Sequence, residues 1–170
     1  PMIIAGIREM RKLFPAVPQV GVFDTAFHHT LPAYAFLYGL PYEFYEKKGV
    51  RRFGFHGTSH NYVALRAAEF LKRRPNELRL VSCHLGNGAS MCAVDHGRSV
   101  DTTMGFTPLE GLMMATRSGT VDPGMLVHLL RQKKLDANAL DNALNYESGL
   151  LGVSGISSDL RQVLAELSHN

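Results

Sequence analysis

Tryptophan is missing from the 170 residues, and only two cysteines, Cys83 and Cys92, are present. Two thiols do not make a disulfide framework, so a reducing compartment and a cytoplasmic protein are expected. No apolar run reaches the length of a membrane span, and no secretory leader or membrane partner is expected. Glycine is never followed by lysine, which excludes a Walker-type phosphate loop. No Gly-x-Gly-x-x-Gly follows a strand-like run, so a dinucleotide fingerprint is absent too. "GVSGIS" has the wrong spacing for a Gly-x-Ser-x-Gly nucleophile elbow.

What is present reads as globular: 45% hydrophobic, 19% charged, formal net charge +3. The positive charge is clustered in "KKGVRR" (47–52), "LKRR" (71–74) and "RQKK" (131–134). The last two follow apolar-periodic stretches, where cations complement a helix C-terminus. No aromatics are interleaved with them as a base-stacking platform, so nucleic acid is not expected as a partner.

"AGIREMRKLF" reads as a helix, opening so near the first residue that the chain is expected to be a segment of a longer one. "VPQVGVF" (17–23) reads as a buried strand ending at Asp24. The stretch 28–50 is irregular, with at most a short helix around 33–38. A helix over 56–74 is expected, capped by Thr58 or Ser59. Then "LRLVSCHL", "ASMCAV" and "SVDTTM" form a three-stranded meander. Helices are expected over 107–118, 122–134, 136–149 and from a serine cap at 157, the second opening on an Asp122-Pro123 cap. Strands followed by helices indicate an α/β fold.

"HLGNGAS" (84–90) joins the first two strands without a charged residue in the turn. Asn-Gly is a strong signal for a two-residue hairpin turn with positive φ, which would set Cys83 opposite Cys92. Glycines also let an anion approach the backbone, so a phosphate cradle is the other reading. Four further residues are candidates. His56 lies in the glycine-flanked loop "FGFHGT" and is either a hydrogen-bonded loop residue or a reactive one. His60, four residues on, would straddle the helix start with it, which argues against a shared zinc ion; it is expected at the surface. Asp24 closes a strand, a favoured site position, or caps a turn. Arg117 lies in a Ser/Gly/Thr loop between two expected helices.

Taken together, "VFDTAFH", "RRFGFHGTSHNYV", "CHLGNGASMCAV", "SVDTTMGFTPLEGLMMATRSGTVDPG" and "GVSGISSDLR" resemble the acetate and propionate kinase (acetokinase) family in order and spacing. The resemblance runs through nearly the whole chain. It implies a ribonuclease-H-like fold of the actin, hexokinase and heat-shock ATPase kind, with ATP between two domains. Residues 1–26 would be the tail of the first domain and 27–170 the front half of the second. It implies reversible transfer of the γ-phosphoryl group of ATP, with Mg2+, to acetate or propionate, and a homodimer. By resemblance, His84, Gly86, Asn87 and Gly88 form the phosphate loop. His56 and Arg117 contact the transferring group, Asp24 orients magnesium, directly or through water, and Phe55 and Pro108 line the acyl pocket. Departures are His29, Leu31, Ala115 and Thr120, where the family usually has Gln, Met, Gly and Asp. The family's N-terminal phosphate segment, a second substrate-binding arginine, the adenosine-binding part and an acidic magnesium residue have no counterpart here. The isolated chain is therefore expected to be inactive, and a folded non-catalytic core that dimerises or contacts nucleotide is the alternative.

Overall fold

The computed structural model describes residues 2–132 and 135–167. Its frame is a three-stranded antiparallel sheet in the order β1 (Arg79–Leu85), β2 (Ala89–Asp95), β3 (Arg98–Thr102). One sheet face carries Ser82, Ser90, Cys92 and Val94, all buried. Against this face packs α4 (Gly57–Phe70), with Ala64, Phe27 and Leu80 in the same apolar cluster. A second cluster joins Ala89, Met104 and Met114, with Phe55 and Leu112 packed on it.

The meander is as expected, but its first turn is not a two-residue one. Leu85 pairs with Ala89, so the loop holds Gly86, Asn87 and Gly88. The slip of one residue pairs Ser82 with Cys92 and Cys83 with Met91. Because side chains alternate with a period of two, the cysteines therefore fall on opposite faces. Cys83 is exposed and Cys92 buried. The second turn is the two-residue one, with His96 at φ 52° and Gly97 at φ 80°.

Residues 17–23 do not form a strand, and Val20, Val22 and Phe23 are exposed. Apolar patterning reports that a segment suits a covered surface; a strand also needs a neighbouring ladder. Helix α1 (Met2–Leu13) likewise buries no residue. The stretch 28–50 contains the expected short helix, α2 (Ala33–Phe36), and an unexpected α3 (Tyr42–Lys48). Pro41 precedes α3 and Gly49 ends it at φ 66°, an N-terminal-proline, C-terminal-glycine pair that its aromatic content obscured.

Helix α4 begins at Gly57, earlier than a Thr58 or Ser59 cap would place it. Its cap residue is His56 at φ 58°, whose N–H donates to Asp24 Oδ2 at 2.6 Å. A distant carboxylate, not a local hydroxyl, holds the helix entrance. The helix closes near Lys72 (φ 54°), so "LKRR" lies just past its C-terminus as expected. Arg52 of the first basic cluster is an internal brace. It donates to the carbonyls of Thr102 and Thr103 (2.8 and 3.0 Å) and pairs with Glu110 at 2.8 Å. Tyr38 donates to the other oxygen of Glu110, and burial with that carboxylate pushes the phenol up to about 12.

Residues 107–118 are irregular, not helical. Gly111 adopts φ 109°, and a Cβ there would sit 2.6 Å from the carbonyl of Thr103. Thr120 clasps the same residue through its N–H and its hydroxyl. Helix α5 (Pro123–Arg131) opens on Asp122, which accepts from the Gly124 N–H at 2.7 Å, as expected. Lys133 and Lys134, expected to continue it, lie outside the described residues. The helix expected over 136–149 divides into α6 (Ala137–Tyr146) and α7 (Gly149–Ser154). Helix α8 (Leu160–Leu167) is entered through Asp159, which accepts from the Arg161 N–H, and not through a serine cap. Its expected last residue, Ser168, also lies outside the described residues.

Candidate functional site

The site gathers where the β1–β2 loop, the entrance of α4 and the loop 113–117 meet. Gly88 is its centre. A Cβ on Gly88 would lie 3.2 Å from Arg117 Nη1 and 3.4 Å from His56 Nε2. Neither Gly86 nor Gly88 has positive φ, so this loop uses glycine at position 88 for space, not for an unusual turn. Gly86 sits beside His84, whose Nε2 would be 3.4 Å from a Cβ there. Asn87 accepts from the Ala115 N–H through its carbonyl at 3.3 Å, tying the loop to the arginine-bearing segment.

Arg117 is half-buried. Its Nη1 donates to the carbonyl of Pro108 at 3.2 Å, while Nε and Nη2 have no partner among the described residues. The loop behind it is strapped by the start of α7: Ser148, Leu150 and Leu151 donate their N–H groups to the carbonyls of Thr116, Met114 and Ala115. These are the donors a helix start leaves without internal partners. A loop arginine is thereby given a fixed seat. Pro108 contributes a carbonyl anchor, and Phe55 packs on the Met104–Met114 cluster.

Asp24 is exposed. It holds the α4 entrance through Oδ2, while its carbonyl accepts from the Gly57 N–H at 2.8 Å. Its Oδ1 has no partner among the described residues. Next to the loop lies an open cleft of about 760 Å³, lined by Gly86, Asn87, Met114, Ala115, Asp159 and Arg161.

Beneath the exposed site is a buried layer of histidine and serine. His56 Nδ1 lies 2.9 Å from Ser90 Oγ, and His60 Nε2 lies 2.8 Å from the same oxygen. His60 Nδ1 is 3.0 Å from Ser82 Oγ. His56 stacks on His84 with centroids 3.9 Å apart, and His84 Nδ1 is 2.9 Å from Ser59 Oγ. His28 bridges Ser99 Oγ (2.8 Å) and the carbonyl of Phe55 (3.0 Å). His60, expected at the surface, is instead fully buried. The helix starts one residue after His56, so His60 points inward on its first turn.

Burial pushes His60 down to about 4, with His28, His56 and His84 acting in the same direction. Burial, followed by the stacked His84, also lowers His56, and burial lowers His28. A folded-state value below the unfolded 6.5 means that the unfolded chain binds more protons between the two. The contribution of His60 to stability is therefore complete above pH 6.5 and is lost as the pH falls toward 4. We expect the unfolding free energy of the full-length protein to drop across that window, by up to about 1.4 kcal/mol per pH unit per histidine. Denaturant titrations at several pH values measure the slope, and His60→Gln should flatten it. An unchanged slope in that variant would contradict the assignment.

Asp24, Gly88, His84, His56 and Arg117 were legible as candidates in the sequence. Ser90, Ser82, Ser59 and His28 were not; scattered single serines and a lone histidine carry no spacing signal. The profile of the Acetokinase family matches residues 1–170. The acetate kinase of Clostridioides difficile is 59% identical over 163 residues, which are 96% of this chain and 41% of that protein. Among solved structures, Porphyromonas gingivalis acetate kinase superposes with a TM-score of 0.93 at 48% identity, covering 98% of this chain and 42% of that one. A propionate kinase from Francisella tularensis superposes with a TM-score of 0.92 at 44% identity, covering 98% of this chain and 43% of that one. The chain thus spans about 41% of the length of the curated relatives it matches. Because the profile runs through every residue gathered around Gly88, and identity and fold agree with it, the chain belongs to the acetokinase family.

Proposed function

We propose that the full-length protein is a short-chain acyl kinase, transferring the γ-phosphoryl group of ATP to acetate or propionate. The observation that carries this reading is the convergence of His56 Nε2 and Arg117 Nη1 on Gly88, where lack of a side chain leaves room for an anion. In the forward direction a carboxylate oxygen bonds to the γ-phosphorus, the bond from phosphorus to the β-bridging oxygen breaks, and ADP leaves. The nucleophile is already ionised at neutral pH, so no general base is required. What the site must supply is approach of one anion to another and stabilisation of the charge spread over the phosphoryl oxygens. Arg117 offers two guanidinium nitrogens without a partner among the described residues for this, and His56 a ring nitrogen beside the same glycine.

The cleft beside Gly86 and Asn87 is the seat we assign to the nucleotide, with His84, Gly86, Asn87 and Gly88 at its phosphates. Phe55 and the Pro108 segment are assigned to the acyl group. Asp24 fits a magnesium contact: one carboxylate oxygen is committed to the backbone and the other faces outward. Magnesium keeps several waters and substrate phosphate oxygens, so one carboxylate suffices. When bound, the ion would neutralise charge on the β- and γ-phosphates. We place the boundary between the two domains near residue 26, which is where the exposed leading segment gives way to packed structure. Residues 2–24 bury no side chain, whereas Phe27 and His28 pack on the sheet and α4. We also assign the protein to the cytoplasm and to a homodimer.

The test is acyl phosphate formation, trapped as hydroxamate, by the full-length protein with MgATP and acetate or propionate. Turnover with either acid supports the reading; a folded full-length protein that binds MgATP but forms none overturns it. The 170-residue chain alone is expected to show no turnover in the same assay.

A further inference from the structure

Under the buried face of the site, hydroxyl hydrogens decide which way the histidines point their protons. Ser82 Oγ has His60 Nδ1 as its partner, and no other side-chain or backbone partner of that hydroxyl is found among the described residues. Ser82 is buried, so an O–H aimed elsewhere would be an unsatisfied donor, whereas an oxygen lone pair left over costs little. The Ser82 O–H therefore donates to His60 Nδ1. His60 is neutral at physiological pH, so its single proton lies on Nε2. That N–H donates to Ser90 Oγ, which lies 2.8 Å away. The partners of Ser90 Oγ are His60 and His56, and Ser90 is fully buried. With its oxygen accepting from His60, the Ser90 O–H donates to His56 Nδ1. His56 then carries its proton on Nε2, the atom facing Gly88 and Arg117.

We infer that Ser82, His60 and Ser90 form a one-way hydrogen-bond chain that holds His56 as the Nε2–H tautomer, aiming an N–H donor at the anion seated over Gly88. The chain rests on the phosphoryl-transfer reading for what that anion is, but its polarity rests on the buried hydroxyls alone. The opposite polarity would leave the Ser82 O–H unpaired inside the protein. It would also turn a bare Nε2 lone pair toward a transferring phosphoryl oxygen, which repels it. A doubly protonated His56 would leave the buried Ser90 O–H without an acceptor, because both partners of that hydroxyl would then be N–H donors. Ser90 and His60 act through His56 and are positioning residues; neither reaches the loop.

The experiment is 15N spectroscopy of the histidine-labelled full-length protein at neutral pH, with the two rings assigned by His56→Gln and His60→Gln. Nitrogen shifts and two-bond proton couplings distinguish a protonated from a bare ring nitrogen. The expected result is a proton on Nε2 and a bare Nδ1 in both His56 and His60. A proton on Nδ1 of either ring, or a doubly protonated His56, overturns the chain. In Ser90→Ala the His56 signals should become a mixture of tautomers. kcat for acyl phosphate formation should fall about tenfold, with KM for ATP nearly unchanged, a size typical of groups that orient a site residue. A Ser90→Ala enzyme with wild-type kcat overturns the positioning role. If that variant does not fold, the wild-type spectrum alone decides the polarity. A wild-type protein with the expected tautomers and no acyl kinase activity would sink the proposed function and not the chain.

Discussion

Replacing Arg117 by alanine in the full-length protein should lower kcat by roughly 10³-fold, the scale of losing an arginine that stabilises a transferring phosphoryl group. The guanidinium is anchored by one nitrogen to the carbonyl of Pro108, while Nε and Nη2 have no partner among the described residues. An arginine held through the nitrogen that also lies beside Gly88, with its other donors open, is arranged to bind something that arrives. Charge on the phosphoryl oxygens is redistributed as the old bond breaks, so the interaction is worth most in the transition state. KM for ATP should therefore change much less than kcat. Arg117→Lys should recover little, because an ammonium keeps the charge but not the planar fork. The competing account is that Arg117 only fastens its loop to Pro108. Alanine would then lower thermal stability and leave the turnover of the folded fraction near wild type. Measuring kcat per active site together with a melting curve separates the two. A destabilised variant with normal turnover would remove Arg117 from the chemistry.

The meander, α4 and the capped start of α5 were legible because their signals are local: alternation, helical periodicity, an Asp-Pro pair. The site loop was legible for its glycines, which allowed either a positive-φ turn or the close approach of an anion. Asn87-Gly88 suggested a positive-φ turn, whereas the backbone there is ordinary and Gly88 instead leaves space between two side chains. That difference depends on where Arg117 and His56 come from, 29 and 32 residues away, and no local pattern contains it. The segment 107–118 failed in the same way. Its apolar spacing suits a helix, but Gly111 and the clasp from Thr120 commit it to an irregular path. His60 was misread because the cap of α4 is His56, held there by Asp24 from another segment. Moving the helix start to Gly57 turns the histidine from the surface to the centre of the buried layer. In each case the missing information was a tertiary contact that outweighed a local preference.

Gly149→Ala and Gly155→Ala make a matched pair that tests how the Arg117 loop is held. Both glycines have φ 65°, at opposite ends of α7. Gly155 has nothing within 4 Å of a built Cβ, so alanine there meets only the left-handed backbone penalty, about 1 kcal/mol after the entropy gained in the unfolded chain. At Gly149 the same Cβ would lie 2.1 Å from the carbonyl oxygen of Met114 and 2.8 Å from that of Arg117. Neither obstacle is the end of a flexible side chain. Both are backbone atoms of the loop that positions the guanidinium, and the Met114 carbonyl already accepts from Leu150 at 2.8 Å. Relief requires pushing the loop away from α7, breaking the bonds from Ser148, Leu150 and Leu151. We expect Gly149→Ala to cost about 3 kcal/mol or more, several times the cost at Gly155. Turnover of its folded fraction should fall as well, since the displaced backbone carries Arg117. Denaturant titration of both variants in the full-length protein gives the stability difference, and active-site-corrected kcat gives the second readout. Equal stability losses at the two positions would mean that α7 does not clamp the loop.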